Sequence, residues 1–341
     1  MLMNTARPWM LCALIGLGAA QALPATAATI SAPAAAPGMA QRSVAASATA
    51  RDNAACKPAQ PFYWEIGDRH APLASGSVGG NTYNADTEML IASASKWVFG
   101  AYAIQRRNGQ LSDSDIHALN MTSGYTHFGY TACKLQAALR KSATVASCFE
   151  ARSREGHNDD FDAQAVGRFY YAGGHFQKMA VDLGLGNDDS QLLTRDFRRT
   201  LGEDLLFHFD SPQMAGGMSA SAAQYGLFLR KILSGDLRMH DVLGANAVCT
   251  NPATCPSALH TPIPSGESWH YSMAHWVEDD PKMGDGAFSS PGAFGFYPWI
   301  DASQSWYGIL ARKGKVGGEV AVESVQCGRL IRKAWVSGVQ Q

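Results

Sequence analysis

Ser93-Ala94-Ser95-Lys96-Trp97-Val98-Phe99-Gly100-Ala101-Tyr102-Ala103-Ile104 is the stretch around which the rest of the chain organises itself. Trp97, Val98, Tyr102 and Ile104 recur at helical spacing and Asn108-Gly109 supplies a stop, so an amphipathic helix is predicted from about Ser93. Positions i and i+3 share a helix face, which brings the Ser93 hydroxyl within reach of the Lys96 ammonium and turns Ser95 elsewhere. A serine at a helix N-terminus sits beside free backbone N–H groups and the positive end of the helix dipole, surroundings that favour an oxyanion. A lysine desolvated there can give up its proton and serve as a base. Taken alone, the S-x-x-K spacing is common, and the plain alternative is a helix cap followed by a surface lysine.

Outward from this helix, Pro61-Phe62-Tyr63-Trp64-Glu65-Ile66-Gly67 reads as a strand and Gly76 to Tyr83 as a turn-rich return. Between about Leu111 and Gly244 helical stretches alternate with polar loops. Ala220 to Leu233 is the clearest helix there, with Tyr225, Leu227, Leu229, Ile232 and Leu233 on its buried side and Ser219 or Ser221 as cap. Beyond about Ser265 the pattern returns to strand, in Trp269 to Val277, Phe294 to Ile300 and Trp306 to Ala311. The turn-forming run Asp301-Ala302-Ser303-Gln304-Ser305 joins the last two, and a helix from about Glu319 to Val336 closes the chain. Strands at both ends with helices between them predict an α/β (α+β) fold. An antiparallel sheet flanked by helices is built from both chain ends, and an all-helical lobe is inserted over about 111–250.

The composition, 46% hydrophobic and 17% charged over 341 residues with a net charge of −1, excludes a disordered or fibrous chain and lacks the basic footprint of a nucleic-acid binder. The apolar run Trp9 to Leu23 behind Arg7, followed by Ala25-Thr26-Ala27, has the layout of a signal peptide over 1–27. It is short for a bilayer span, so the expectation is a periplasmic or secreted protein with no integral membrane segment after cleavage. Residues 28–52, rich in Ala, Ser and Pro, read as a linker, with the folded domain over 53–341. Besides Cys12 in the leader there are six cysteines, Cys56, Cys133, Cys148, Cys249, Cys255 and Cys327, an even number that suits an oxidising compartment. Pairing neighbours across short loops, Cys133 with Cys148 and Cys249 with Cys255, leaves Cys56 and Cys327 to tie the chain ends together. No close Cys/His spacing suggests a metal site, and His270 and His275 bracket a predicted strand at a spacing that suits none. Leu183-Gly184-Leu185-Gly186-Asn187 lacks the flanking strand and full spacing of a dinucleotide loop, so no cofactor is expected.

Ser93-Ala94-Ser95-Lys96 is followed in order by Thr122-Ser123-Gly124, by Tyr171-Ala172-Gly173-Gly174-His175-Phe176, by Ala215-Gly216-Gly217-Met218-Ser219 and by Ser290-Pro291-Gly292. This series resembles the serine β-lactamase and penicillin-binding-protein superfamily, and within it the class C and esterase-like branch, over most of 56–336. The resemblance implies Ser93 as acylated nucleophile, Lys96 and Tyr171 as proton-transfer pair with the phenol pushed towards phenolate by the cation, and the backbone N–H groups of Ser93 and Ala293 as oxyanion hole. Gly292 would let substrate approach the strand closely. Two departures concern substrate: Gly173 stands where the family has an asparagine, and Ser290 where it has the Lys or His that attracts a substrate carboxylate. Arg312 or Lys313 is a candidate replacement for that charge. The expected function is an exported serine hydrolase, monomeric, acting on a small ester, amide or peptide. A β-lactamase or D-alanyl-D-alanine carboxypeptidase is one alternative, and a non-catalytic peptidoglycan-binding protein of the same fold is another.

Overall fold

The computed structural model describes residues 36–131, 133, 143–153, 156–315 and 318–341. The predicted signal peptide, 1–27, lies outside them. Strand β1 (Phe62–Gly67) is buried along its whole length, where a one-sided strand would alternate, because both of its faces are covered. It pairs antiparallel with β2 (Pro72–Val78) on one side and with β8 (Tyr307–Ala311), the last strand of the chain, on the other. Further strands are β3 (Val248–Cys249), β4 (His270–Ser272), β5 (His275–Glu278), β6 (Ala287–Ser289) and β7 (Tyr297–Ile300). They complete an eight-stranded antiparallel sheet in the order β2-β1-β8-β7-β6-β5-β4-β3, so the sheet is built from both chain ends, as predicted, with β1 and β8 paired one strand in from the β2 edge.

Helices in chain order are α1 (Met39–Asp52), α2 (Ser95–Arg106), α3 (Asp113–Leu119), α4 (Val145–Phe149), α5 (Gly174–Ala180), α6 (Ser190–Leu201), α7 (Ala222–Leu233) and α8 (Gly318–Ser337). Pleat alternation sorts the two covering layers. Tyr307 of β8 meets Gly226 of α7, whereas Tyr297 of β7 meets Gly328 of α8; in each case a Cβ on the glycine would run into the ring. None of these helices is long and apolar enough to cross a membrane.

The linker expected over 28–52 is overturned in its second half, which is α1. Alanine is the best helix former, and a stripe of small residues, Ala45, Ala46, Thr49 and Ala50, is buried where α1 packs along α8. Arg42 donates to the Trp335 and Val336 carbonyls at 2.7 and 2.9 Å, and Asn53 to the Gln341 carbonyl, fastening the two helices end to end. Small side chains suffice there because the partner helix supplies the bulk. Cys56 bonds Cys327 in α8, and the other bridges are Cys133–Cys148 and Cys249–Cys255, the pairing read from the sequence.

Other boundaries shift for local reasons. The single strand expected over Trp269 to Val277 is a hairpin, β4–β5, turning at Met273 and Ala274, both at positive φ. Neither residue type signals such a turn, but tertiary contacts impose it: the Met273 N–H donates to Asn120 and the Ala274 N–H to the Leu119 carbonyl. His270 and His275 therefore begin separate strands. Between β2 and β3 the lobe is mainly helical, with short strand pairs such as Met89–Leu90 against Met218–Ala220 and Phe169–Tyr170 against Ala258–His260.

Candidate active site

Ser93 sits in a 3-10 turn, Ala92–Ala94, two residues ahead of the start of α2, so it precedes the α-helix that the spacing predicted it would start. Ala92 holds φ +46, a strained conformation for a residue with a Cβ, and the surroundings hold the turn in it. The Ser290 hydroxyl donates to the Ser93 carbonyl at 3.0 Å, the Tyr225 phenol to the Ala94 carbonyl at 2.8 Å, and Ser95, fully buried, accepts from the Met218 N–H. The chain clamps the Ser93 backbone, and Ser93 lines the cleft.

Lys96, one turn further on, is 4% exposed, with Nζ 2.8 Å from Ser93 Oγ and 2.8 Å from the Ala215 carbonyl oxygen. Among the described residues no carboxylate pairs with it, and burial alone lowers its pKa from 10.5 to about 7. The Tyr171 ring lies 4.7 Å from Nζ. Burial pushes the Tyr171 phenol up to about 12, against the opposing effect of hydrogen bonds from the Ser93 and Trp276 side chains. The phenolate expected at Tyr171 is thereby corrected: the cation that was to stabilise it is itself short of charge, and desolvation outweighs it. Tyr171 is held between the Trp276 ring, stacked at 5.2 Å, and a Tyr271 edge at 6.0 Å.

Behind Tyr171, His175 is fully buried and neutral, its pKa lowered by burial to about 4. Its Nε2–H donates to the Tyr170 carbonyl at 2.9 Å and its Nδ1 accepts from the Ser123 hydroxyl at 2.8 Å. The Thr122-Ser123-Gly124 loop is thus bonded to the strand that carries Tyr171.

Ser93, Tyr171 and Ala293 line one cavity of about 160 Å³, with Pro291, Trp269, Trp276, the Pro262-Ile263-Pro264 loop and Val322 and Val325 of α8 as its apolar walls. Three sequence expectations change here. Gly292 is needed for the fold more than for substrate, since a Cβ would run into the Ile91 carbonyl oxygen just ahead of the nucleophile turn. Ser290 is spent on the Ser93 backbone. Arg312 is buried and committed to Ser324, the Pro58 and Val320 carbonyls and Glu323, so it offers no charge to a substrate. Lys313 is exposed and does not line the cavity.

Gly173 precedes α5, where a Cβ would press on Phe128 and on Ala215. The Ala215 carbonyl, which the sequence reading missed, takes up the lysine instead of an asparagine amide. A backbone acceptor has no side-chain signature, although the Gly216-Gly217 turn beside it was visible. The α8 wall and Glu267 were likewise missed, because they lie far from any motif in sequence.

No protein-family model matches the chain, and no curated protein matches it by sequence. Solved structures do match. A β-lactamase from Mycobacterium bovis superposes with a TM-score of 0.57 at 12% identity over 82% of this chain and 96% of its own. Simvastatin synthase from Aspergillus terreus gives 0.57 at 13% identity, over 86% and 98%. An octameric penicillin-binding-protein homologue from Pyrococcus abyssi gives 0.56 at 14% identity, over 78% and 72%. Together with the antiparallel sheet and the inserted, mainly helical lobe, these superpositions show that the chain has the fold of the serine β-lactamase and penicillin-binding-protein superfamily.

Proposed function

We propose that the protein is an exported serine hydrolase that transfers the acyl group of an ester or amide first to Ser93 and then to water. The observation that carries this reading is Lys96: a buried amine 2.8 Å from Ser93 Oγ, without a counter-charge, poised near neutrality. In its neutral form Lys96 accepts the Ser93 proton as Oγ attacks the substrate carbonyl. The backbone N–H groups of Ser93 and Ala293 receive the oxyanion. Collapse expels the alcohol or amine, which takes its proton from the Lys96 ammonium through the neutral Tyr171 hydroxyl, a donor and acceptor at this pH. Water then repeats the sequence on the acyl-enzyme, giving the acid and free Ser93. The N-terminal charge and apolar pattern and the three cysteine pairs support export.

An ester or simple amide is favoured over a β-lactam because the groups that would meet a carboxylate are absent or engaged, as Ser290 and Arg312 are. Intact-protein mass after exposure to a fluorophosphonate and, separately, a penicillin tests this, with Ser93→Ala as control. A fluorophosphonate adduct on the wild type alone is expected. Adducts from both probes would move the substrate to β-lactams or peptidoglycan, and none from either would leave a reversible binder of the same fold.

A further inference from the structure

Glu267 is the one carboxylate that lines the cavity among the described residues, and it stands at one end of a chain of ion pairs whose middle members, Glu278 and Arg332, are buried. Its Oε2 takes the Trp269 indole N–H at 2.8 Å and Arg329 Nη1 at 2.8 Å, which leaves Oε1 its lone pairs to offer. Arg329 also binds Glu278, at 2.8 Å; Arg332 binds Glu278 and Asp285, at 2.9 and 2.7 Å. Three carboxylates, Glu267, Glu278 and Asp285, thus share two guanidiniums, and the set carries one net negative charge with its cavity end at Glu267. Trp269 and Trp276 stand nearly perpendicular, at 80°, beside it. The Arg329 guanidinium lies 4.7 Å over one face of Trp269, and Tyr171 stacks on one face of Trp276. The pull on an organic ammonium group, and the repulsion of a carboxylate, therefore rest mainly on the carboxylate of Glu267 in an otherwise apolar cavity.

We infer that Glu267, with the Trp269–Trp276 corner, selects substrates that carry a cationic ammonium end remote from the scissile bond and rejects those ending in a carboxylate. This deepens the acyl-transfer reading and rests on it. It is the reverse of what a lysine in place of Ser290 would select, and it uses residues on a different wall of the cavity.

The test is a matched set of p-nitrophenyl esters of six-carbon acids ending in methyl, trimethylammonium or carboxylate, compared by kcat/KM in wild type and Glu267→Gln. A preference of about tenfold or more for the ammonium ester over the carboxylate ester is expected, collapsing towards unity in the Gln variant, where Arg329 keeps Glu278 as partner. Equal rates on the charged pair, a preference for the carboxylate ester, or an unchanged ratio in Glu267→Gln overturns the inference. A second measurement does not depend on turnover. On Ser93→Ala, which cannot be acylated at that position, hexyltrimethylammonium should raise Tm more than hexanoate does, and the opposite order or no difference counts against the inference even if acyl transfer is confirmed. Failure of every ester with the wild type, together with the expected Tm order, would instead sink the acyl-transfer reading and leave the cation site standing.

Discussion

Two sets of charged groups are buried in this molecule, and they answer burial in opposite ways. On the α8 side of the sheet, Glu278 is fully buried yet its carboxyl is held down at about 2, because Arg332 and Arg329 beside it more than offset desolvation. In the cleft, Lys96 is nearly as buried but its neighbours, the Ser93 hydroxyl, the Ala215 carbonyl and the Tyr171 ring, carry no counter-charge, and its pKa drops to about 7. Compensated charge stays ionised and joins elements together; uncompensated charge moves its pKa to where a proton can be exchanged at neutral pH. On the proposed acyl-transfer reading, the proton exchange at Lys96 follows from leaving out a counter-ion.

The contrast breaks most visibly at Lys96. Lys96→Met should lower the acylation rate by about 10⁴-fold or more, read by stopped-flow with an activated ester. The same change should raise Tm at pH 7. The folded pKa lies below the unfolded value of 10.5, so between about 7 and 10.5 the unfolded chain holds the extra proton and stability rises with pH. Below that window the lysine costs the fold its full penalty, and the methionine variant should show no such slope. A variant that loses both activity and stability would mean that Lys96 is compensated after all.

At the other pole, Arg332→Met removes one of the two cations from a fully buried carboxylate and should cost about 3–5 kcal/mol by denaturant unfolding, with the acylation chemistry of the folded fraction retained. Tyr171→Phe should reduce kcat by about 10²- to 10³-fold, chiefly in leaving-group protonation. Because the phenol is neutral, the pH–rate profile of the wild type should rise as pH passes through about 7, following Lys96, and show no limb assignable to a tyrosinate below pH 10. A flat profile from pH 5 to 9 would refute the lysine base. The smallest effect is in acid. His175 and His275 are buried neutral, with pKa values lowered to about 4 and about 3, so stability is complete above about 6.5 and declines as pH falls towards those values. His175→Phe should flatten that decline in thermal unfolding at pH 4–6, and through Tyr170 it should also disturb Tyr171.

Much of this was legible in the sequence because it depends on local spacing. The three-residue offset from Ser93 to Lys96, the Ser221 cap of α7 and the Asp301 turn, whose carboxylate accepts from the Ser303, Ser305 and Trp306 N–H groups, all lie within a few positions. The lone-charge state of Lys96 was not legible, since it depends on which groups 119 residues away fail to be acidic. The Met273–Ala274 turn was hidden for the same reason: its conformation is dictated by Asn120 and Leu119, not by its own residues. Alanine in 39–52 was read as too small to fold, when its smallness is what lets α1 lie against α8.

β1 lies between β2 and β8, and the Tyr307 phenol of β8 closes on Glu65 of β1 across 242 positions of sequence. The core edge of β1 thus has no partner until the segment after Trp306 has been made and delivered. A ribosome or translocation pore releasing this chain from its N-terminus would hold back the joining of β1 and β2 to the rest of the sheet until nearly the last moment. The Ser93 turn is synthesised early but its surroundings are completed late: the Ser290 hydroxyl that holds the Ser93 carbonyl comes 197 positions later, and β8 later still.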